Sequence, residues 1–183
     1  MNGFKIAVDK ATLHGEQIQD LRRTIEAGEF VSGKGSFREY GDIVKDYYEY
    51  LRSNITIGRN FNVVIDAGNG TGGVVAVPIM REFGQNIKEL FCDMDGRFPN
   101  HFPDPTVEAN LTALRDTILR EKADVGIGYD GDADRIGVVD EKGGIIWGDY
   151  LMLIFARQIL KDNKGGTFIS EVKCSRNLFD DIA

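Results

Sequence analysis

Cysteine, proline and histidine are scarce in this sequence. Its 183 residues include only 2 cysteines, 4 prolines and 2 histidines. Two cysteines are too few for the disulfide framework of a small secreted domain, and they fit a reducing compartment. The cytoplasm is therefore the expected location.

Long apolar segments and excess positive charge are also missing. The longest apolar run, residues 150–156, is far shorter than the roughly 20 residues that span a bilayer, and the first residues lack a signal-peptide core. We therefore expect no membrane partner. The 22 Lys+Arg against 29 Asp+Glu give a net charge of −7. This balance disfavours a nucleic-acid partner, so an anionic substrate has to be met by local cations or a metal ion.

The remaining composition is that of a folded globular protein, with 42% hydrophobic and 28% charged residues. Short β-branched runs predict strands, and apolar stripes at helical spacing lie between several of them. This alternation predicts an α/β fold, a layered mixed β-sheet covered by helices on both faces. The predicted strands are residues 4–9, 62–67, 88–93, 124–129, 136–141, 145–147 and 167–172.

Two polar, glycine-containing segments predict domain boundaries. They are residues 33–36 and residues 162–166. We expect residues 36–163 to form one complete domain, with residues 1–35 and 164–183 as pieces of neighbouring domains.

The strongest chemical pattern is the aspartate loop, residues 130–135, with the sequence Asp-Gly-Asp-Ala-Asp-Arg after a predicted strand. Carboxylates at alternate positions of a loop repel one another unless a cation lies among them. An all-oxygen set favours Mg²⁺ or Ca²⁺ over zinc. We therefore predict a metal site at Asp130, Asp132 and Asp134, with a solvated acidic turn as the plainer alternative.

The same residues partly fit a calcium-binding EF-hand loop, which needs acids at positions 1, 3 and 5 and a glutamate at position 12. These positions are taken by Asp130, Asp132, Asp134 and Glu141. Arg135 stands where the EF-hand has a glycine, and strand-like segments flank the loop where an EF-hand has helices. An EF-hand-like calcium module is therefore the weaker alternative.

A glycine-rich segment follows another predicted strand. Gly68, Gly70 and Gly73 formally match the G-x-G-x-x-G pattern, and the acidic Asp93 ends the next predicted strand. This match raises the alternative of an NAD-dependent dehydrogenase. Against it, Asp66 inside the turn is unfavourable beside a pyrophosphate, and no hydride-transfer partner stands out. A tight strand-to-helix turn with positive φ angles is the preferred interpretation.

The proline loop, residues 96–106, holds three of the four prolines. It is either a stiff structural loop or one that also faces the active cleft. Histidine side chains can serve as acids or bases near neutral pH, but a single histidine such as His101 among aromatic residues is more often packed than catalytic. Thr106 is predicted to cap the helix that follows.

The order of these motifs resembles a known family. Six motifs follow one another along nearly the whole chain. They are Asn-Gly-Phe-Lys at 2–5, Val-Ile-Asp-Ala-Gly-Asn-Gly at 64–70, Phe-Pro-Asn-His at 98–101, Pro-Asp-Pro at 103–105, the aspartate loop, and Glu-Val-Lys-Cys-Ser at 171–175. This succession resembles the α-D-phosphohexomutase superfamily, most closely its bacterial phosphomannomutase/phosphoglucomutase branch. The resemblance implies an enzyme that moves a phosphoryl group reversibly between O1 and O6 of mannose or glucose phosphate. The resemblance implies that this transfer passes through a phosphoserine and a hexose 1,6-bisphosphate.

The resemblance also implies roles for single residues. The three aspartates of the aspartate loop would bind Mg²⁺ together with a phosphoserine oxygen, and Arg135 would help to hold the phosphoserine end. Lys5 matches a lysine that assists acid/base chemistry at the sugar hydroxyl. Lys173 matches a lysine that contacts the substrate.

By the same resemblance, residues 1–35 correspond to the end of the first family domain, 36–163 to the second and 164–183 to the start of the third. The family's nucleophilic serine lies in a T-A-S-H-N-P-like loop, and none of the serines in these 183 residues has that motif. The sugar-selecting and phosphate-binding loops of the later domains are missing as well. We expect an internal fragment without mutase activity, whose sugar preference and oligomeric state stay open.

Overall fold

The computed structural model describes residues 4–182. The chain divides into two compact units, Met1–Gly41 and Asp42–Ala183. The domain boundaries expected after residues 35 and 163 stay predictions. Among residues 4–182, no helix has the length and apolar character that a membrane crossing requires.

The first unit holds a short hairpin followed by a helix. Strands β1 (Ala7–Val8) and β2 (Ala11–Thr12) pair antiparallel, and helix α1 (Glu16–Ala27) follows. The strand predicted over residues 4–9 is shorter than expected. It ends at Val8 because the chain turns back at Asp9, whose φ is +53°.

The second unit is built around a mixed sheet. Its strands are β3 (Asn62–Asp66), β4 (Asn86–Leu90), β5 (Val125–Tyr129), β6 (Ile136–Asp140) and β7 (Ile145–Ile146). Its α-helices are α2 (Ile43–Asn54), α3 (Gly72–Glu82), α4 (Thr112–Glu121), α5 (Gly148–Asp162) and α6 (Arg176–Ile182). The strand order is β4-β3-β5-β6-β7. Strand β3 is parallel to β4 and β5, whereas β6 is antiparallel to β5 and to β7.

The two faces of β3 pack against different helices. On one face, Val64 packs with Leu114 and Ile118 of α4. On the other face, Ile65 packs with Val77 of α3. Because alternate side chains of a strand point to opposite faces, helices cover both sides of the sheet, which confirms the predicted α/β fold class.

Two glycines in β5 allow α4 to pack closely on the sheet. A Cβ atom at Gly126 would lie 2.4 Å from Cδ1 of Ile118, and one at Gly128 would lie 3.0 Å from Cδ2 of Leu111. A larger side chain at Gly126 would have to push α4 away from the strand, and one at Gly128 would displace Leu111, at the end of the 3-10 turn Glu108–Leu111 that precedes α4. The glycines of β5 are therefore needed for packing.

Five of the six strands predicted within the second unit are confirmed with shifted ends, and the sixth is wrong. The strand expected at 88–93 is β4, which begins at Asn86 and ends at Leu90 because Phe91 has a φ of +49°. The strand expected at 167–172 does not form. None of the described strands pairs with this segment, and its side chains Ile169 and Val172 are almost fully exposed.

Candidate functional site

Three loops lie at the edge of the sheet where the parallel strands end. The glycine turn (residues 66–73) joins β3 to α3, the proline loop (residues 96–106) belongs to the connection after β4, and the aspartate loop follows β5. The carboxyl ends of parallel strands lie at one edge of a sheet, and ligands of open α/β sheets bind there. The fold therefore brings the motifs of the sequence to one place.

The aspartate loop brings its carboxylates together. One oxygen each of Asp130, Asp132 and Asp134 lies within 4.8 Å of the others. Asp130 is buried, whereas Asp132 and Asp134 are exposed. The N–H of Ala133 donates to the carbonyl oxygen of Asp130 at 3.1 Å, and the φ of +59° at Ala133 allows the chain to curl. This all-oxygen set suits a hard divalent cation such as Mg²⁺.

Arg135 closes the aspartate loop onto Asp130. Its backbone N–H donates to Oδ1 of Asp130 at 3.1 Å, and its Nε donates to Oδ2 at 2.8 Å. The same Nε lies 3.4 Å from Oδ1 of Asp134. Burial alone would raise the pKa of Asp130, but the two hydrogen bonds from Arg135, a hydrogen bond with Asp134 and the charge of Arg135 together lower that pKa below its ordinary value. Asp130 is therefore ionised at neutral pH.

The glycine turn has the backbone conformation that its sequence predicts. Gly68 has a φ of +51° and Asn69 a φ of +60°. The N–H of Thr71, at the start of α3, donates to the carbonyl oxygen of Gly131 at 3.0 Å. This N–H is used within the protein, so it is not free for the pyrophosphate of a dinucleotide.

Asp66 and His101 form a pair that the sequence did not predict. The Nε2 atom of His101 lies 3.0 Å from Oδ2 of Asp66, and the N–H of Gly68 donates to Oδ1 at 2.8 Å. Asp66 is only 1% exposed. Burial raises its pKa, although both partners favour the ionised form. The pair ties the proline loop to the end of β3, and it confirms His101 as a packed residue.

The start of the helix after the proline loop differs from the prediction. The hydroxyl and the N–H of Thr106 both donate to Oδ1 of Asp104, at 2.7 and 3.0 Å. Thr106 therefore caps no helix, because Val107 takes the N-cap position and no backbone N–H of the following turn donates to the Thr106 hydroxyl. A 3-10 turn begins at Glu108 instead. The sequence Asp-Pro-Thr carried the signal for the turn, since aspartate side chains often accept the N–H two residues further on.

The two lysines selected from the sequence are exposed. Lys5 lies in the first unit, before β1. Lys173 lies between α5 and α6, and its Nζ is 3.3 Å from Oε2 of Glu171. The described contacts bring the three aspartates and Arg135 together but do not include either lysine. The roles of Lys5 and Lys173 stay predictions.

This geometry defines a class of protein: an α/β domain that carries an aspartate loop at the carboxyl edge of its sheet. Residues 45–144 match the family described as "Phosphoglucomutase/phosphomannomutase, alpha/beta/alpha domain II". The chain belongs to the phosphoglucomutase/phosphomannomutase family, as the order of motifs predicted. The strands β5 and β6 on either side of the aspartate loop also differ from the helices that flank an EF-hand.

Curated relatives and a solved structure agree with this assignment. The phosphomannomutase/phosphoglucomutase of Pseudomonas aeruginosa is 43% identical over 177 residues, and the phosphoglucomutase of Neisseria meningitidis serogroup B is 42% identical over 179. Both alignments cover 97% of this chain, but 38% and 39% of the relatives. A phosphoglucomutase/phosphomannomutase family protein of Burkholderia thailandensis superposes with a TM-score of 0.87 at 39% identity, over 93% of this chain and 37% of that one. The chain thus spans less than half the length of its relatives.

Proposed function

We propose that this chain supplies the metal-binding domain of a hexose phosphate mutase. The substrates are phosphorylated hexoses, in which a phosphoryl group moves reversibly between O1 and O6 of mannose or glucose. The relatives named as phosphomannomutase and phosphoglucomutase support this substrate class. The observation that carries the proposal is the convergence of Asp130, Asp132 and Asp134 beside the guanidinium of Arg135.

The three aspartates are the residues that would hold Mg²⁺. Carboxylate oxygens are its preferred protein ligands, and Mg²⁺ commonly shares its coordination with phosphate and water. When bound there, the ion would neutralise negative charge on the phosphoryl oxygens during transfer. The aspartates are suited to this task because Asp130 is fixed by Arg135, whereas Asp132 and Asp134 are exposed to an incoming ion.

Arg135 has two tasks in this proposal. Its backbone N–H and Nε fix Asp130, and its side chain is 57% exposed. A guanidinium in this position can donate to phosphate oxygens with its outer nitrogens. It would therefore orient the phosphoserine end of the transfer next to the metal ligands.

Lys5 and Lys173 complete the proposed machinery, on the basis of the family resemblance. Lys5 would exchange a proton with the sugar hydroxyl that gains or loses the phosphoryl group, and Lys173 would bind the substrate. In each half-reaction, one P–O bond to serine or sugar breaks as the other forms, with the hexose 1,6-bisphosphate as the intermediate. We also propose a cytoplasmic location, since Cys92 and Cys174 are both unpaired.

A chimera tests the proposal. This chain would replace its aligned segment in the Pseudomonas aeruginosa relative, and a coupled assay would measure conversion of glucose 1-phosphate with a trace of the 1,6-bisphosphate. We expect an active chimera that loses kcat by orders of magnitude on Asp132→Asn, because charge on the phosphoryl oxygens is no longer neutralised. The matched control is Asp162→Asn, an exposed position at the end of α5.

The outcomes separate the proposal from its alternatives. A folded chimera that has no activity, or that is equally active with Asp132→Asn, would contradict the assigned role of the aspartate loop. The chain alone is expected to give no turnover, because none of its serines has the nucleophile motif. Turnover by the isolated chain would show that the nucleophile lies within these residues.

A further inference from the structure

The backbone of the glycine turn touches the aspartate loop. A Cβ atom built on Gly70 would lie 2.6 Å from the carbonyl oxygen of Gly131 and 2.8 Å from its Cα. The N–H of Thr71 donates to the same carbonyl oxygen at 3.0 Å, and its hydroxyl lies at 3.4 Å. Gly131 stands between Asp130 and Asp132, so this contact fixes the start of the aspartate loop.

The proline loop approaches Gly131 from another direction. A Cβ atom built on Gly131 would lie 3.5 Å from Cγ of Pro103 and 3.8 Å from Cζ of Phe98, which are ordinary contact distances. Pro103 is in turn held close to the glycine turn, since a Cβ atom at Gly68 would lie 2.8 Å from Cβ of Pro103. Gly131 is therefore in close contact with the glycine turn, whereas the side facing the proline loop leaves room for a methyl group.

The glycine turn is itself firmly held, independently of the aspartate loop. The N–H of Asn69 donates to the carbonyl oxygen of Phe91 at 2.7 Å, and its side-chain Nδ2 donates to that of Asp93 at 2.8 Å. The side-chain Nδ2 of Asn100 donates to Oδ1 of Asn69 at 2.7 Å. Asn69 is buried. The turn can thus serve as a rigid support for the aspartate loop.

We infer that Gly70 and Thr71 are positioning residues for the cation, acting through Gly131. The inference rests on the proposed metal site. A rigid support holds the three carboxylates close together despite their mutual repulsion. Less conformational entropy of the aspartate loop is then lost when an ion binds. A displacement of Gly131 would move Asp132 away from Asp130, which is fixed separately at the end of β5 by Arg135.

The variant Gly70→Ala tests this role. Gly70 is not among the glycines with a positive φ, so alanine would not strain its own backbone, and the added methyl group meets Gly131. The matched control is Gly73→Ala, in the first turn of α3. Its Cβ would lie 2.5 Å from the carbonyl oxygen of Cys92. Both variants introduce a clash of similar size, but only Gly70→Ala directs it at the aspartate loop.

Calorimetric titration with Mg²⁺ and thermal unfolding would be measured for the wild-type chain and both variants. We expect Gly70→Ala to weaken Mg²⁺ binding roughly tenfold or more, as is typical when the support of a metal ligand is lost. Gly73→Ala should lower Tm to a similar extent and leave the affinity within about twofold, because metal affinity follows the support of the ligands. Hydrogen exchange of the metal-free chain should be faster at residues 131–134 in Gly70→Ala alone.

A second variant covers the case in which Gly70→Ala does not fold. Thr71→Pro removes the N–H that donates to Gly131, and the φ of −79° at Thr71 is compatible with proline. It should also weaken Mg²⁺ binding. If Gly70→Ala or Thr71→Pro binds Mg²⁺ as tightly as the wild type, or if Gly73→Ala weakens binding equally, the positioning role is wrong. Absence of binding by the wild type would instead contradict the proposed function.

Discussion

Arg135 donates to both oxygens of Asp130, through its backbone N–H at 3.1 Å and through Nε at 2.8 Å. Asp130 is 1% exposed, so without these donors a negative charge would be buried with little compensation. A carboxylate oxygen has two lone pairs and can accept from Arg135 while facing an ion. One arginine therefore both stabilises the loop and orients the buried carboxylate that we propose as a metal ligand.

Replacement of Arg135 tests whether its contact with Asp130 stabilises the folded chain. Arg135→Gln should lower the free energy of unfolding of the metal-free chain by about 1 kcal/mol, a small value because the side chain is largely exposed and the backbone N–H remains. Urea denaturation measures the change. Arg120→Gln, on the exposed part of α4, is the control. An unchanged free energy for Arg135→Gln would show that the Nε contact does not stabilise the loop.

The buried pair of Asp66 and His101 makes a second prediction. His101→Phe leaves the Asp66 carboxyl without its imidazole partner, so the free energy of unfolding should fall by about 1 to 3 kcal/mol. The control is His14→Phe, which replaces the other histidine, an exposed one. It should change the free energy of unfolding by less than about 0.5 kcal/mol. Equal effects of the two replacements would mean that the pair has no stabilising role.

The stability of the chain should depend on pH through Asp104. The hydroxyl and N–H of Thr106 hold the pKa of this carboxyl below its ordinary value. Because the folded state favours the ionised form, this contribution is complete above about pH 5 and is lost as the pH falls below about 4, through the folded pKa. The difference in free energy of unfolding between wild type and Asp104→Asn should therefore shrink in acid. A difference that stays constant or grows below about pH 4 would contradict this.

Close packing of β5 against α4 makes a prediction about Gly126. The Cβ atom of Gly126→Ala would meet the side chains of Ile118 and Leu114 at 2.4 and 2.8 Å. Overpacking of this kind should cost about 1 to 3 kcal/mol of stability. The control is Gly96→Ala, where no atom lies within 4 Å. Thermal unfolding of both variants measures the effect, and an equal Tm would mean that α4 adjusts without cost.

Local patterns in the sequence predicted the elements that form the site. The alternating residue pattern that predicted β5 and the carboxylates that predicted the aspartate loop are each contained in a few consecutive residues. Periodicity and loop chemistry were therefore sufficient to predict both. The positive φ angles of the glycine turn were predictable for the same reason. Each of these features depends on neighbours along the chain.

Contacts between distant segments were not predictable in this way. Asp66 and His101 are separated by 35 positions, and Gly70 and Gly131 by 61, so no local pattern indicates that they meet. The wrong strand at 167–172 has a similar cause, because a β-branched run becomes a strand only where a partner strand is available.

Titration of the isolated chain with Mg²⁺ tests the central claim most directly, with wild type, Asp132→Asn and the control Asp162→Asn compared by calorimetry. We predict weak saturable binding at one site in the wild type, because three carboxylates bind without the phosphate that Mg²⁺ commonly shares with them. Binding should be lost or weakened at least roughly tenfold in Asp132→Asn and unchanged in Asp162→Asn. A wild-type chain without saturable Mg²⁺ binding, or equal binding by all three proteins, would contradict the proposed metal site. Binding of Ca²⁺ at nanomolar concentrations in preference to Mg²⁺ would favour an EF-hand-like site instead.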